Sequence, residues 1–349
     1  MKPAAFLPAT LRLTLLAALP LVVQTLIVQT LIVQTTMAQP KLLVNAKVDT
    51  RSAAAGLERE FKALLTAQPQ PAWIGYQVPA VRGADMNCEY VRDGVSTAGI
   101  VHLEPPDHAV ILFRVEGNTV NKLRNLSPDC EIDAGGLPMH WLTDVVPAQS
   151  VALLTTFVPQ HELDSNGALN AIATHADPSA DPVLDRYLAP NQPEWVRRRV
   201  ASLEASQRGA HGVEAVKNVI ANDVSESVKQ SALSGLARNK DPEALNLLIA
   251  TARTAHDPRT RSQAISSMNR KPGKAVLDTI NAAIASDPDV QVRRRAVDAL
   301  GSMPDGEGVP ALIQLVKSSK DVDVRKQAMN RLQNSHDSRA EAFFEEVLK

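Results

Sequence analysis

Aromatic side chains are scarce in this chain: they make up 3% of its 349 residues, and most lie before residue 160. Recognition of single-stranded nucleic acid relies on aromatic rings that stack on bases, which argues against that role for the C-terminal half. Charge of one sign is also lacking. Lys and Arg number 37 against 38 Asp and Glu, a net charge of −1. The whole molecule therefore has no electrostatic pull towards nucleic acid or acidic membranes. Over residues 190–349 there are 24 basic and 20 acidic side chains, far from a nucleic-acid footprint.

Cysteine is limited to Cys88 and Cys130. Two lone cysteines do not make a structural zinc site, which takes four ligands at close spacings. No His-Glu-x-x-His, Cys-x-x-Cys, Gly-x-Ser-x-Gly or phosphate loop is present, and Gly135-Gly136 lacks the Lys-Ser/Thr that such a loop needs. The eight histidines are His102, His108, His140, His161, His175, His211, His256 and His336. Their scatter reads as surface histidine. The expectation is no catalytic residue, no metal and no cofactor.

What is present is a repeat. From about Pro190 to Lys349 the chain returns to itself every 32 residues, marked by Val196, Val228, Thr260, Val292 and Val324. A basic residue follows each marker: Arg197, Lys229, Arg261, Arg293 and Arg325. Four positions on stand Val200, Ala232, Ala264, Ala296 and Ala328; eight on stand Glu204, Leu236, Met268, Leu300 and Leu332. The i, i+4, i+8 spacing marks one face of a helix. A second helix follows, with Val216, Leu248, Ile280, Leu312 and Phe344 twenty residues past the marker. Pro272-Gly273 and Pro304-Asp305-Gly306 are turns between the two. Asp241-Pro242, Asp257-Pro258 and Asp287-Pro288 read as N-caps with Pro at the first helical position. One such unit cannot bury its own apolar faces, and stacking supplies the core. The first unit fits worst, because Glu204 stands where the others are apolar; Leu203 is the substitute core residue expected there.

These units resemble HEAT repeats, in particular the short class of phycobilisome-lyase-type proteins, through the run Asp287-Pro288…Val292-Arg293-Arg294-Arg295-Ala296…Leu300-Gly301. The resemblance covers residues 190–349. It implies a mainly α fold, a right-handed α-solenoid of five to six helix-turn-helix repeats, preceded here by a small β-rich module. It also implies a partner-binding inner surface on the second helices. Iron-binding HEAT-like hydroxylases carry His-Glu pairs in several repeat helices, whereas this chain has only His161-Glu162. No cysteine lies in the repeats for thioether attachment of a chromophore.

Ahead of the repeats, Lys2 and Arg12 precede a charge-free run from Leu13 to Pro40 that holds the tandem pentapeptides Leu21–Thr25, Leu26–Thr30 and Leu31–Thr35. With Thr36-Met37-Ala38 at cleavage spacing, residues 1–38 read as a secretory signal peptide. The alternative is an uncleaved membrane anchor through residues 13–38, since about 20 apolar residues span a bilayer. Export permits a Cys88–Cys130 disulfide. Closing that 42-residue separation contributes roughly 4 kcal/mol in the chain-entropy account.

Residues 39–71 read as an exposed start followed by an amphipathic helix from Ala53 to Ala67, with Leu57, Phe61 and Leu64 inward. Residues 72–158 read as the β-rich module: strands at Trp73–Val78 and Ala109–Val115, a hairpin turn at Gly117-Asn118, and a closing helix near Ser150. Residues 159–189 read as a degenerate capping repeat through Ala168, Ile172, Leu184 and Leu188. The predicted partner surface comprises Glu214, Lys217, Asn246, Arg253, Asp278, Asn281, Gln314 and Lys317. Arg197, Arg198, Arg293 and Arg294 form a candidate anion stripe; pairing of the first arginines with Asp223, Asp257, Asp287 and Asp321 is the other reading. The function expected is an exported scaffold that binds a protein partner and no nucleic acid, touching a membrane only through an uncleaved N-terminus. The alternative is a hydrolase with its site in the β-rich module, around Asp133, His140 and Asp144, or at the junction with the solenoid. A small-ligand or chromophore carrier is the third.

Overall fold

The computed structural model describes residues 43–67, 70–84, 86, 88, 106–159, 167–271 and 273–347. The signal peptide or anchor expected at residues 1–38, and His102, His161 and Glu162, lie outside the described residues. No helix among the described residues is long and apolar enough to cross a membrane.

The N-terminal strands are β1 (Leu43–Val44), β2 (Lys47–Ser52), β3 (Ala72–Pro79), β4 (His108–Glu116), β5 (Thr119–Leu126), β6 (Ile132–Asp133) and β7 (Pro138–Thr143). They form a five-stranded sheet in the order β2-β7-β3-β4-β5 and a parallel pair β1-β6. β2 and β3 both run parallel to β7, while β3, β4 and β5 are antiparallel neighbours. The β4–β5 hairpin turns at Gly117 and Asn118, whose φ values of +57° and +63° fit the tight turn their sequence announces.

β4 is nearly continuous in apolar residues because both its faces are covered. Ala109, Ile111, Phe113 and Val115 face a core shared with the helices, and Val110 and Leu112 face Met139, Trp141 and Cys130. Cys88 and Cys130 form a disulfide on that second face, with Cα atoms 5.3 Å apart. The amphipathic helix α1 spans Leu57–Ala67, shorter than expected at its start, and its Phe61 packs edge-on to Phe113 at 4.8 Å. The sheet also draws in β2, in the stretch expected to be an exposed start. Every residue of β2 is exposed, so no hydrophobic alternation announces it; backbone pairing with β7 holds it.

Helices α2 (Pro147–Thr155), α3 (Gly167–Thr174) and α4 (Ala180–Leu188) follow. The repeats are the pairs α5 (Glu194–Gln207) and α6 (Gly209–Asn222), α7 (Glu226–Leu236) and α8 (Pro242–Thr254), α9 (Pro258–Met268) and α10 (Lys274–Ser286), α11 (Val290–Gly301) and α12 (Val309–Ser318), and α13 (Val322–Gln333) and α14 (Ser338–Val347). A short 3-10 turn, Pro304–Gly306, joins α11 to α12. The described chain is thus mainly helical, a repeat solenoid after a small sheet-containing module.

The five markers lie in the first helices and are buried, as are all residues four positions on, which are 0% exposed. Asp241 and Asp257 cap α8 and α9. Asp287 does not cap α11: Asp289 does, accepting from the amides of Gln291 and Val292. Asp287 instead ends α10 and is taken up by Arg261. In the first unit Leu203 does not displace Glu204 from the core; both are buried, at 4% and 0% exposure.

Ala296 is fully buried on α11, which packs on α9 and α13. Ala296→Leu is expected to destabilise the chain by about 1–3 kcal/mol through overpacking. Urea unfolding followed by circular dichroism measures it as a lower midpoint at unchanged slope.

Candidate functional site

Glu214 and Lys217 on α6, Asn246 and Arg253 on α8, Asp278 and Asn281 on α10, and Gln314 and Lys317 on α12 are all exposed. Much of their polarity is already engaged along or between helices. Lys217 pairs with Glu214, Asn246 donates to Glu243, Arg253 donates to the Thr279 hydroxyl at 2.8 Å, and Lys274 pairs with Asp278. Lys317 reaches Glu346 and lies 5.5 Å from the centre of the Phe343 ring. Such exposed pairs contribute about 0–1 kcal/mol each. Between α10 and α12 is a groove of about 650 Å³, whose lining includes the apolar Ile284, Ala285, Ala311 and Leu315, the polar Asn281 and Gln314, and charged residues of both signs such as Arg293 and Asp321. Trp195 is half-buried against the core.

The arginines after the markers turn inward. Arg197 is 7% exposed and grips Asp223 through Nε and Nη2, at 2.9 and 3.2 Å, while donating to the Gln192 carbonyl. Arg261 repeats this on Asp287, at 2.8 and 2.8 Å, and on the carbonyls of Ala255 and His256. Arg293 bonds the Asp287 carbonyl and sits 3.5 Å from Asp321; Arg325 bonds the Ser319 carbonyl. Each arginine thus ties off carbonyls ahead of its own helix; Arg197 and Arg261 also hold the aspartate that ends the second helix of the same repeat, and Arg293 lies beside Asp321, the cap of the next repeat. These partners hold the Asp223 and Asp287 carboxyls below their ordinary range against the opposing effect of burial, which is the larger single influence. Arg197 is therefore no part of a surface anion stripe. Arg198 and Arg294 do point to solvent, and Arg294 pairs with Asp323 at 3.2 Å.

In the sheet module, Asp133, His140 and Asp144 do not converge. Asp133 accepts from Asn45 and from the Gly135 amide. Asp144 accepts from Ser52 and Thr143. His140, buried on β7, has its Nδ1 3.3 Å from Asp49.

A different polar constellation lies at the junction of sheet and solenoid. His175, just past α3, has its Nδ1 2.6 Å from the Ala171 carbonyl and its Nε2 2.9 Å from Ser150 on α2. Ser150 is in turn 2.8 Å from the Tyr76 hydroxyl on β3. A carbonyl only accepts, so Nδ1 carries the proton and the neutral ring takes the Ser150 hydroxyl at Nε2. Serine and histidine beside each other suggest a nucleophile and its base, but all three side chains are 0% exposed and no carboxylate orients the ring. The trio has no path to a substrate and serves as a joint between β3, α2 and α3. The 25 residues between Ser150 and His175 leave no sequence spacing that would pair them. Arg208 closes the joint by donating to the carbonyls of Ala173 and His175 and by binding Asp181.

One set of described residues has the donor atoms to hold a metal: Asp185 on α4, Glu204 on α5 and His211 on α6. Burial, and then the neighbouring charges of Asp185 and Asp181, push the Glu204 carboxyl up to about 8. The misfit of Glu204 to its repeat was visible in the sequence; that three helices bring it to Asp185 and His211 was not.

Burial lowers the His175 imidazole from 6.5 to about 4, with the Ala171 carbonyl and Asp177 opposing the shift and Arg208 adding to it. A base with a depressed folded value is protonated first in the unfolded chain. Its contribution to stability is complete above pH 6.5 and is lost as pH falls towards 4. The loss expected is about 3 kcal/mol. Urea midpoints measured at pH 7 and at pH 4.5 should differ markedly in the native protein and much less in His175→Gln.

The HEAT repeats model matches residues 213–289 and 277–349. No curated protein matches. Eighteen solved chains do; one, human deoxyhypusine hydroxylase in complex with glycerol, is 12% identical, with 58% of this chain and 96% of that one covered at a TM-score of 0.27. A likeness that slight carries no functional weight. The match over residues 213–349 is consistent with a HEAT-repeat protein.

Proposed function

We propose that the protein is an exported HEAT-repeat scaffold that holds a protein partner along its second helices and performs no catalysis of its own. The observation that carries this reading is the groove between α10 and α12, in which the apolar Ile284, Ala285 and Leu315 lie among the polar Asn281 and Gln314 and the charged Asp287, Arg293, Lys320 and Asp321. Apolar residues among polar groups and charges of both signs suit a protein segment better than a polyanion. Mixed charge along α6, α8, α10 and α12 points the same way, because it offers no single-sign field. The Cys88–Cys130 disulfide supports export, since such bonds persist in oxidising compartments. The sealed Tyr76–Ser150–His175 trio and the dispersed Asp133, His140 and Asp144 give the hydrolase reading no assembled site among the described residues.

The test is crosslinked capture from the envelope of the native host. Native protein should retain a defined partner. The double variant Asn281→Arg, Gln314→Arg, with an unchanged circular dichroism spectrum, should retain about tenfold less, as expected when a few central contacts carry the affinity. Equal capture by the variant would remove the groove from the interface. A turnover abolished by alanine at Asp133, His140 or Asp144 would establish the hydrolase instead.

A further inference from the structure

Glu204 is the one acidic side chain among the described residues with both carboxylate oxygens buried and without a hydrogen-bond partner. The same core position holds Leu236, Met268, Leu300 and Leu332 in the later units, each 0–1% exposed. Helix stacking therefore has no need of a carboxylate there. An unpaired buried carboxyl is a cost to the fold, which makes its presence informative.

The surroundings of Glu204 supply a reason. Asp185 and His211 meet above it, with His211 Nε2 3.2 Å from Asp185 Oδ1. One ligand atom from each of the three residues lies within 4.8 Å of the other two. The approach of α6 to α5 is enforced by Gly212: a Cβ at that position would fall 1.8 Å from the Glu204 carbonyl oxygen. His211 is the neighbour of that glycine, so the contact that admits no side chain at 212 also delivers the imidazole. Asp181 adds a further negative charge nearby, and Arg208, the cation of the cluster, is already engaged by Asp181 and by two carbonyls.

We propose that Asp185, Glu204 and His211 bind one divalent transition-metal ion of the zinc class, through two carboxylate oxygens and the imidazole Nε2. Zinc bonds to such atoms are roughly 2.0–2.2 Å long, which sets tetrahedral ligands about 3.3 Å apart. The Asp185–His211 separation of 3.2 Å already matches that edge. Glu204 completes the set by rotation about its terminal torsion, which has a broad energy well. An imidazole in the set selects against magnesium and calcium, which take oxygen ligands. Asp185 and His211 are exposed, so the ion enters from solvent and keeps a position for water. It neutralises the buried carboxylate and pins α4, α5 and α6 together at the first repeat.

The experiment uses the purified protein stripped with EDTA and titrated with zinc chloride, with cobalt chloride as the spectroscopic probe. The native protein should take up one equivalent, show the visible ligand-field bands of tetrahedral cobalt and melt at a higher temperature with metal than without. Glu204→Leu restores the residue type of the other units, so it should fold, melt at or above the metal-free native protein and lose both the bands and the zinc-induced rise. His211→Ala and Asp185→Asn should each weaken binding by more than the ~10–100-fold that loss of an outer contact costs. Absence of zinc and cobalt uptake by the native protein overturns the proposal. So does uptake retained in Glu204→Leu, which would mark an adventitious surface ion, or magnesium bound as tightly as zinc.

Discussion

Close approach of each first helix to the next is the contact on which this solenoid depends. It is possible because one core position per unit carries a side chain no larger than valine: Val200, Ala232, Ala264, Ala296 and Ala328, all without solvent exposure. A small side chain lets the helix axes draw together, and dispersion and apolar burial then act over the whole length of the pair. The basic residue after the marker builds on that closeness. Arg197 and Arg261 reach the carbonyls ahead of their helices and the aspartate that ends the second helix of their own repeat only because these elements are already pressed together. Once desolvated, these pairs penalise any slip of one helix on its partner, which would leave a buried charge unmatched.

The sheet module is fused to the solenoid rather than strung before it. One apolar core runs from Phe61 and Phe113 through Leu154 and Ile172 into Val200 and the repeats. The Tyr76–Ser150–His175 trio crosses that boundary and is satisfied entirely within it. Polar groups placed inside a core specify where its parts meet, because an apolar contact tolerates sliding and a hydrogen bond does not. Its resemblance to a catalytic pair therefore reflects shared chemistry in a place that substrate does not enter.

The first repeat breaks the pattern that the others keep. In four units the position eight past the marker is apolar, and in the first it is Glu204. A sequence-level reading expects the chain to rescue such a site by turning Leu203 inward. Leu203 does turn inward, yet Glu204 stays buried as well, because Val196 and Val200 fix the rotation of the helix and residue 204 lies on the same face. Departures of this kind, where one local rule is broken and its neighbours obey, are where binding or strain is found.

The repeat phase, the helix pairs, the β4–β5 hairpin and the disulfide partners were all legible from residue order, because each follows from periodicity, turn chemistry or the count of cysteines. β2 was not, since an edge strand held by backbone bonds leaves no mark in side-chain alternation. The inward turn of Arg197, the union of Ser150 with His175, and the meeting of Asp185, Glu204 and His211 belong to the folded chain alone. They join residues 7 to 26 positions apart on different elements, across distances that depend on how closely helices pack, and no local pattern of the chain encodes that closeness.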